Sequence, residues 1–349
     1  MIDQIRNDLQ AAVDASVFPG CVAGVYYRNC MQVIAVGRLS YDSNSAEVTE
    51  ETIYDVASIT KAIPVSSLVL KLINDGQISA SDQLIRYVPQ FRGANREEIL
   101  IQHLLTQTLS FNFRLSDYKE MNSAEIMDRI LTADFNFPPG YRFYYTNATS
   151  ILLGMVVEHC AGKTLDKVAA EYFFEPLDMK RTSFDVSMFD SCSIAPTEVD
   201  PWRGRLIRGE VHDESAWALR PRVVGSAGLF STVPDILIFA RMLLEDGSYK
   251  GRCFFNPEVL SLMHTNQLSG LNGWTGLGWE LNQKSFMGRL CSESAFGKTG
   301  FTGCSVVIDP CKKAAVVLLS NHIHPQRRSS RDTINKVRCN LADYVWKKL

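Results

Sequence analysis

Long apolar runs are missing from this sequence. No stretch reaches the ~20 residues that a bilayer-spanning helix needs, so no membrane partner is expected. An excess of charge of one sign is missing too: 36 Lys and Arg stand against 38 Asp and Glu, a net charge of -2. Such a balance supplies no field to gather nucleic acid or an anionic surface. Cysteine is present without a pattern. The nine residues Cys21, Cys30, Cys160, Cys192, Cys253, Cys291, Cys304, Cys311 and Cys339 are odd in number, scattered and free of any CxxC. They are expected to be reduced thiols rather than a disulfide framework or a zinc site. The first twenty residues, MIDQIRNDLQAAVDASVFPG, carry acid from the third position and lack the apolar core of an export leader. A cytoplasmic protein is therefore expected, or a periplasmic one if a leader was removed. No GxSxG occurs, which disfavours an α/β-hydrolase triad.

What is there is a chain of 349 residues, 46% hydrophobic and 21% charged. That is enough to bury a large core without covalent staples. Ile5, Leu9 and Val13 fall at helical spacing, giving an amphipathic helix that ends before Pro19-Gly20. Strand-like runs follow at Val22–Tyr27 and Gln32–Val36, with a tight turn at Asn29-Cys30. Helices are expected over Ser58–Asn74, closed by Asp75-Gly76, over Ser150–Cys160, closed by Gly162, and over Ile236–Leu244, opened by Thr232 and Pro234. Late strands are expected at Gly276–Leu281, Thr302–Ile308 and Ala314–Ser320, with a turn at Asp309-Pro310. Ile334, Val337, Leu341 and Val345 mark a last amphipathic helix. Strands at both ends of the chain must share one sheet. The expectation is an α/β (α+β) fold with a central antiparallel sheet of about five strands under the terminal helices. Residues 1–57 with 225–349 would form its α/β part and 58–224 a mainly helical part of a single domain.

Three short constellations carry chemistry. In Ser58-Ile59-Thr60-Lys61, residues three apart share a helix face, so hydroxyl and amine can meet. A serine is a weak nucleophile until a neighbouring base takes its proton, and lysine serves when it is neutral. At the start of a helix the Ser58 N–H also faces developing negative charge. In Tyr145-Thr146-Asn147, the phenol can relay a proton and the amide can orient substrate and lysine. In Lys298-Thr299-Gly300-Phe301, glycine in an edge strand lets a substrate backbone approach, lysine and threonine can hold a carboxylate or carbonyl, and the Phe301 N–H can complete an oxyanion hole with that of Ser58.

Taken together and in this order, the three resemble the serine β-lactamase and penicillin-binding superfamily. The Tyr-x-Asn form looks like class C enzymes and their esterase relatives. PPGYRFYYTNATSILLGMVVEHCAGKTL, EPLDMKRTSF, GEVHDESA, VGSAGLFSTVPDILIFARMLL, GKTGFTGCSVVIDP and LLSNHIHP are similar to further blocks of that family, across nearly the whole chain. The resemblance implies an acyl-enzyme cycle with Ser58, Lys61 and Tyr145 as catalytic residues and Ser58 and Phe301 as oxyanion donors. It further implies Asn147, Lys298, Thr299 and Gly300 at the substrate, and neither metal nor organic cofactor. Gln107-Thr108-Leu109-Ser110 departs from the more usual His-Thr-Ser-Gly and is expected to alter a loop near the site. Lys298 stands where many esterase relatives carry histidine or tryptophan. The expected partner is a small-molecule ester or amide, with a β-lactam or D-amino-acid peptide as the alternative. Acyl transfer uses the same residues, and a non-catalytic scaffold is the reading from another class.

Other groups are assigned blander parts. His212-Asp213-Glu214 is expected to line the cleft without metal. His322 and His324 belong to a loop. Arg327, Arg328, Arg331, Lys336 and Arg338 form a solvated face. Of the tryptophans, Trp202 and Trp217 are those expected near substrate.

Overall fold

The computed structural model describes residues 1–271, 273–328 and 330–349. Its centre is an antiparallel sheet of strands β1 (Gly20–Tyr27), β2 (Cys30–Gly37), β3 (Glu280–Leu281), β4 (Phe296–Thr299), β5 (Ser305–Asp309) and β6 (Ala314–Ser320), in the spatial order β2-β1-β6-β5-β4-β3. The helices used below are α1 (Ile2–Asp14), α2 (Ser67–Asn74), α3 (Asn147–Ala161), α4 (Glu214–Ala218), α5 (Val233–Leu244) and α6 (Asp332–Lys348).

Side-chain alternation divides the sheet between two cores. Val22 of β1 and Val317 and Leu319 of β6 face α5 and the helical part of the chain. Their neighbours Ala23, Val316 and Leu318 face α1 and α6, packing with Leu9, Leu341 and Val345. Each fully buried Val or Leu contributes about 2 kcal/mol of transfer free energy, so both cores are needed to hold the sheet. Helix α5 lies close because β1 offers Gly24: a Cβ there would sit 2.3 Å from a Val233 methyl.

Several expectations change. The β1–β2 turn is Arg28-Asn29, both at positive φ (50° and 61°), rather than Asn29-Cys30; a two-residue hairpin turn matched to strand twist needs that pair. The continuous helix over Ser58–Asn74 is broken. Pro64 disfavours helical geometry at the residue before it, and Ile63 sits at φ -114°, ψ 109°. The result is a tight 3-10 turn at Ala57–Lys61, a wider turn at Ala62–Ser66, and only then α2. Helix α3 starts at Asn147, three residues earlier than expected, because the Thr146 hydroxyl caps it by accepting from the Ala148 N–H. The expected strand over Gly276–Leu281 shrinks to Glu280–Leu281. The expected Thr302–Ile308 strand begins at Ser305, and the sheet gains β4 just before it.

Candidate active site

Asp55 and Val56 lead directly into the 3-10 turn. Three residues per turn eclipse side chains at i and i+3, which brings Ser58 and Lys61 closer than an α-helix would. The Lys61 ammonium donates to Ser58 Oγ at 3.0 Å and to the Ser226 carbonyl at 2.6 Å. Lys61 is 2% exposed, and both of these oxygens are uncharged. Ala57, just ahead of the serine, holds a φ of 47°, a left-handed conformation that costs a non-glycine residue roughly 1 kcal/mol.

Tyr145 comes in from the loop ahead of α3. That loop is anchored by Gln107, whose side-chain carbonyl accepts from the Thr146 N–H at 3.1 Å and the Thr149 hydroxyl at 2.8 Å. Its main-chain carbonyl accepts from the Tyr144 N–H at 2.7 Å. The departure at Gln107 thus shapes the tyrosine loop. Tyr145 stands between two cations, with Lys61 Nζ 5.3 Å and Lys298 Nζ 4.6 Å from its ring centre. Tyr145 is 43% exposed, while its hydroxyl end is crowded by protein. That crowding opposes ionisation, but the two ammonium groups and a hydrogen bond with Ser58 outweigh it, and the phenol lies below its ordinary value.

Asn147 is engaged differently from expectation. Its amide nitrogen donates to Asp213 Oδ2 and Ser215 Oγ, both at 3.1 Å. Burial opposes the Asp213 charge, but the Lys61 ammonium, the Ser215 hydroxyl, the Ala216 N–H and Asn147 overcome it and hold its pKa down.

On the sheet side, Lys298 and Thr299 end β4, beyond the two residues of β4 that β3 pairs with. Gly300 lies in a tight turn rather than a strand: its N–H donates to the Cys304 carbonyl at 2.7 Å. A Cβ at Gly300 would meet the Val56 carbonyl oxygen at 2.3 Å. Close approach of the serine turn demands glycine here. Lys298 is 4% exposed and bonded to Glu280 at 2.5 Å. Burial works against its charge, yet Glu280 and Tyr145 hold its pKa above the ordinary value. The Phe301 ring stacks on His212 with centres 5.6 Å apart. Neither the Ser58 nor the Phe301 N–H is bonded to a backbone carbonyl among the described residues outside regular helices and strands.

These groups converge on a cleft of about 490 Å³ lined by Ser58, Tyr145, Trp274, Thr299, Phe301 and Arg331. A second compartment of about 670 Å³ holds Asn147 and Asp213. Tyr145 lines both. Trp274, 46% exposed, is the indole in the cleft. Trp202 and Trp217 instead pack against each other at 5.1 Å and line neither compartment. The basic run is not a uniformly solvated face. Arg327 pairs with Glu198 and Glu214, and Arg338 is buried, donating to the Gly300 and Cys304 carbonyls at 2.9 and 2.8 Å. His322 and His324 follow β6 and are buried against the Val17 and Thr197 carbonyls. Glu280, Asp55 and Arg338 were invisible as site residues in the sequence, since each acts through a partner remote in the chain.

A family model described as Beta-lactamase matches residues 5–338. The chain belongs to the beta-lactamase family. As a member of that family it is a serine hydrolase with a β-lactamase/transpeptidase-like fold. A relative from Escherichia coli K12, named "Putative D-alanyl-D-alanine carboxypeptidase", is 30% identical over 312 residues, covering 80% of this chain and 71% of the relative. One of the same name from Salmonella agona is 28% identical over 308 residues, covering 79% and 71%. Among solved structures, a penicillin-binding protein homologue from Caulobacter crescentus has a TM-score of 0.78 at 16% identity, covering 100% of this chain and 97% of that one. EstCE1, a hydrolase with promiscuous acyltransferase activity, has a TM-score of 0.76 at 19% identity, covering 96% and 97%. At those identities the structural likeness concerns the fold.

Proposed function

We propose that the protein is a carboxylesterase-like acyl hydrolase that forms a covalent intermediate on Ser58. The observation that carries this reading is the 3.0 Å contact between Ser58 Oγ and the buried Lys61 ammonium, beside a phenol whose pKa is held down. In the acylation step the Ser58 oxygen bonds to the substrate carbonyl carbon and its proton passes to Tyr145, which accepts it as the phenolate that the Lys61 and Lys298 ammonium groups stabilise. The carbonyl electron pair moves onto oxygen, facing the Ser58 and Phe301 N–H groups. Collapse breaks the bond to the alcohol or amine, which takes the proton as it leaves. Water then attacks the acyl-serine by the same route and releases the acid.

The ion pair of Lys298 with Glu280 favours a neutral ester over a substrate that must present a carboxylate there. A D-alanyl peptidase is the second reading, favoured by the name of the 30% identical relative. Purified protein and Ser58→Ala would be compared on short-chain p-nitrophenyl esters, a chromogenic cephalosporin and a D-Ala-D-Ala peptide, with intact mass to detect the adduct. Ester turnover and an adduct that both vanish in Ser58→Ala support the esterase. Preferential release of D-alanine moves the assignment to the peptidase, and fast cephalosporin opening moves it to a β-lactamase.

A further inference from the structure

The oxyanion site in that reading needs the Ser58 and Phe301 N–H groups at a fixed spacing, although they come from distant parts of the chain. Between them lies a buried carboxylate that the proposed reaction does not use. Asp55 is 2% exposed. Its Oδ1 accepts from the Ala57 N–H at 2.8 Å, and its Oδ2 accepts from the His212 N–H at 2.8 Å, 157 positions away. Its main-chain carbonyl accepts from the Thr302 hydroxyl at 2.7 Å, 247 positions away.

Each tether ends next to a working part. Ala57 immediately precedes Ser58 and is the residue held at φ 47°. Thr302 immediately follows Phe301. His212 stacks on the Phe301 ring with an interplanar angle of 14° and precedes Asp213, the acceptor for Asn147. Arg338 fixes the internal shape of the Gly300–Cys304 turn through two of its carbonyls. Asp55 fixes where that turn sits relative to the serine.

The residue type follows from the geometry. Two N–H donors converge on one side chain, so both of its polar atoms must accept, and only a carboxylate does so without offering a donor. A carboxamide would turn an NH2 towards one of the N–H groups. Burying a carboxylate costs several kcal/mol, which the two N–H donors must offset.

We infer that Asp55 is a positioning residue: by holding Ala57, His212 and Thr302 together it sets the spacing of the two oxyanion N–H groups without touching substrate. The inference rests on the acyl-enzyme reading above.

The test uses Asp55→Asn, Thr302→Val and, for comparison, Asp235→Asn. Asp235 is also buried, at 6% exposure, and accepts from the Arg181 N–H and the Thr182 hydroxyl, both at 2.8 Å, outside the cleft. Steady-state ester hydrolysis would be measured with inhibition by phenylboronic acid, whose tetrahedral serine adduct places an oxygen at the oxyanion site. The folded fraction would be checked by circular dichroism. Asp55→Asn is expected to lower kcat about 100-fold with KM within about threefold, and to weaken the boronate by the same factor as kcat/KM. Thr302→Val should give about a tenfold loss with the same parallel, and Asp235→Asn should move neither. Loss only in proportion to the unfolded fraction, or a boronate affinity that does not follow kcat/KM, overturns the inference. If Asp55→Asn does not fold, Thr302→Val decides by the same criterion. Wild-type turnover that survives Ser58→Ala overturns the functional reading, and this inference with it.

Discussion

Two buried lysines flank Tyr145, and they are held in opposite ways. Lys61 donates to a hydroxyl and a main-chain carbonyl, and Lys298 is bonded to a carboxylate. A hydroxyl can surrender its proton, so the first arrangement supports chemistry. The second locks a charge in place, where its main effect is to lower the pKa of the phenol between the two. Two carboxylates complete the balance, Asp213 on the Lys61 side and Glu280 on the Lys298 side. Identical residue types thus have different roles because of what surrounds them.

The comparison is tested most severely at Lys61. Lys61→Met should lower kcat for ester hydrolysis about a thousandfold with a stable fold, read from steady-state kinetics beside a melting curve. Lys298→Met should cost less, about 30-fold, because it removes an electrostatic influence rather than a proton path. Equal losses at the two positions would break the distinction. Glu280→Gln frees the Lys298 charge. KM for an anionic ester such as a p-nitrophenyl hemisuccinate should then fall about tenfold relative to a neutral ester of equal length, at some cost in melting temperature. An unchanged ratio would mean that Lys298 does not face substrate even when unpaired.

The last test is a displacement of the pH profile. A cation stabilises the phenolate and an anion opposes it, so the low-pH limb of kcat/KM reports the field on Tyr145 if that phenol takes up the proton. Removing the cation in Lys298→Met should move the limb to higher pH. Removing the anion in Glu280→Gln should move it to lower pH. Displacements in the same direction would exclude Tyr145 as the titrating group.

Much of the fold was legible because it is written locally. The apolar spacing of α1 and α6, the Thr232 cap of α5 and the apolar run of β6 all matched their elements. The misses have equally local causes. Pro64 was passed over inside an apparent helix, and Thr146 was not read as a cap. The extended run Phe296–Thr299 was not separated from the turn after it. At the site, the resemblance named Ser58, Lys61, Tyr145, Asn147, Lys298, Thr299, Gly300 and Phe301, and the structure brings all of them to one cleft region. It changes the partners of three. Asn147 is tied to Asp213, Lys298 to Glu280, and Gly300 makes room for Val56.

The sequence by itself determined the short-range geometry: a serine and a lysine three residues apart on one face, the Thr232 cap ahead of α5, and the apolar stripes of α1 and α6. Those follow from backbone periodicity and need no distant partner. Only the tertiary structure decided the charge state around Tyr145 and the spacing of the oxyanion N–H groups. Both depend on contacts such as Asp55 with His212 and Thr302, across 157 and 247 positions. No periodicity records such contacts; they exist once burial has brought the segments together and left each polar group to find a partner.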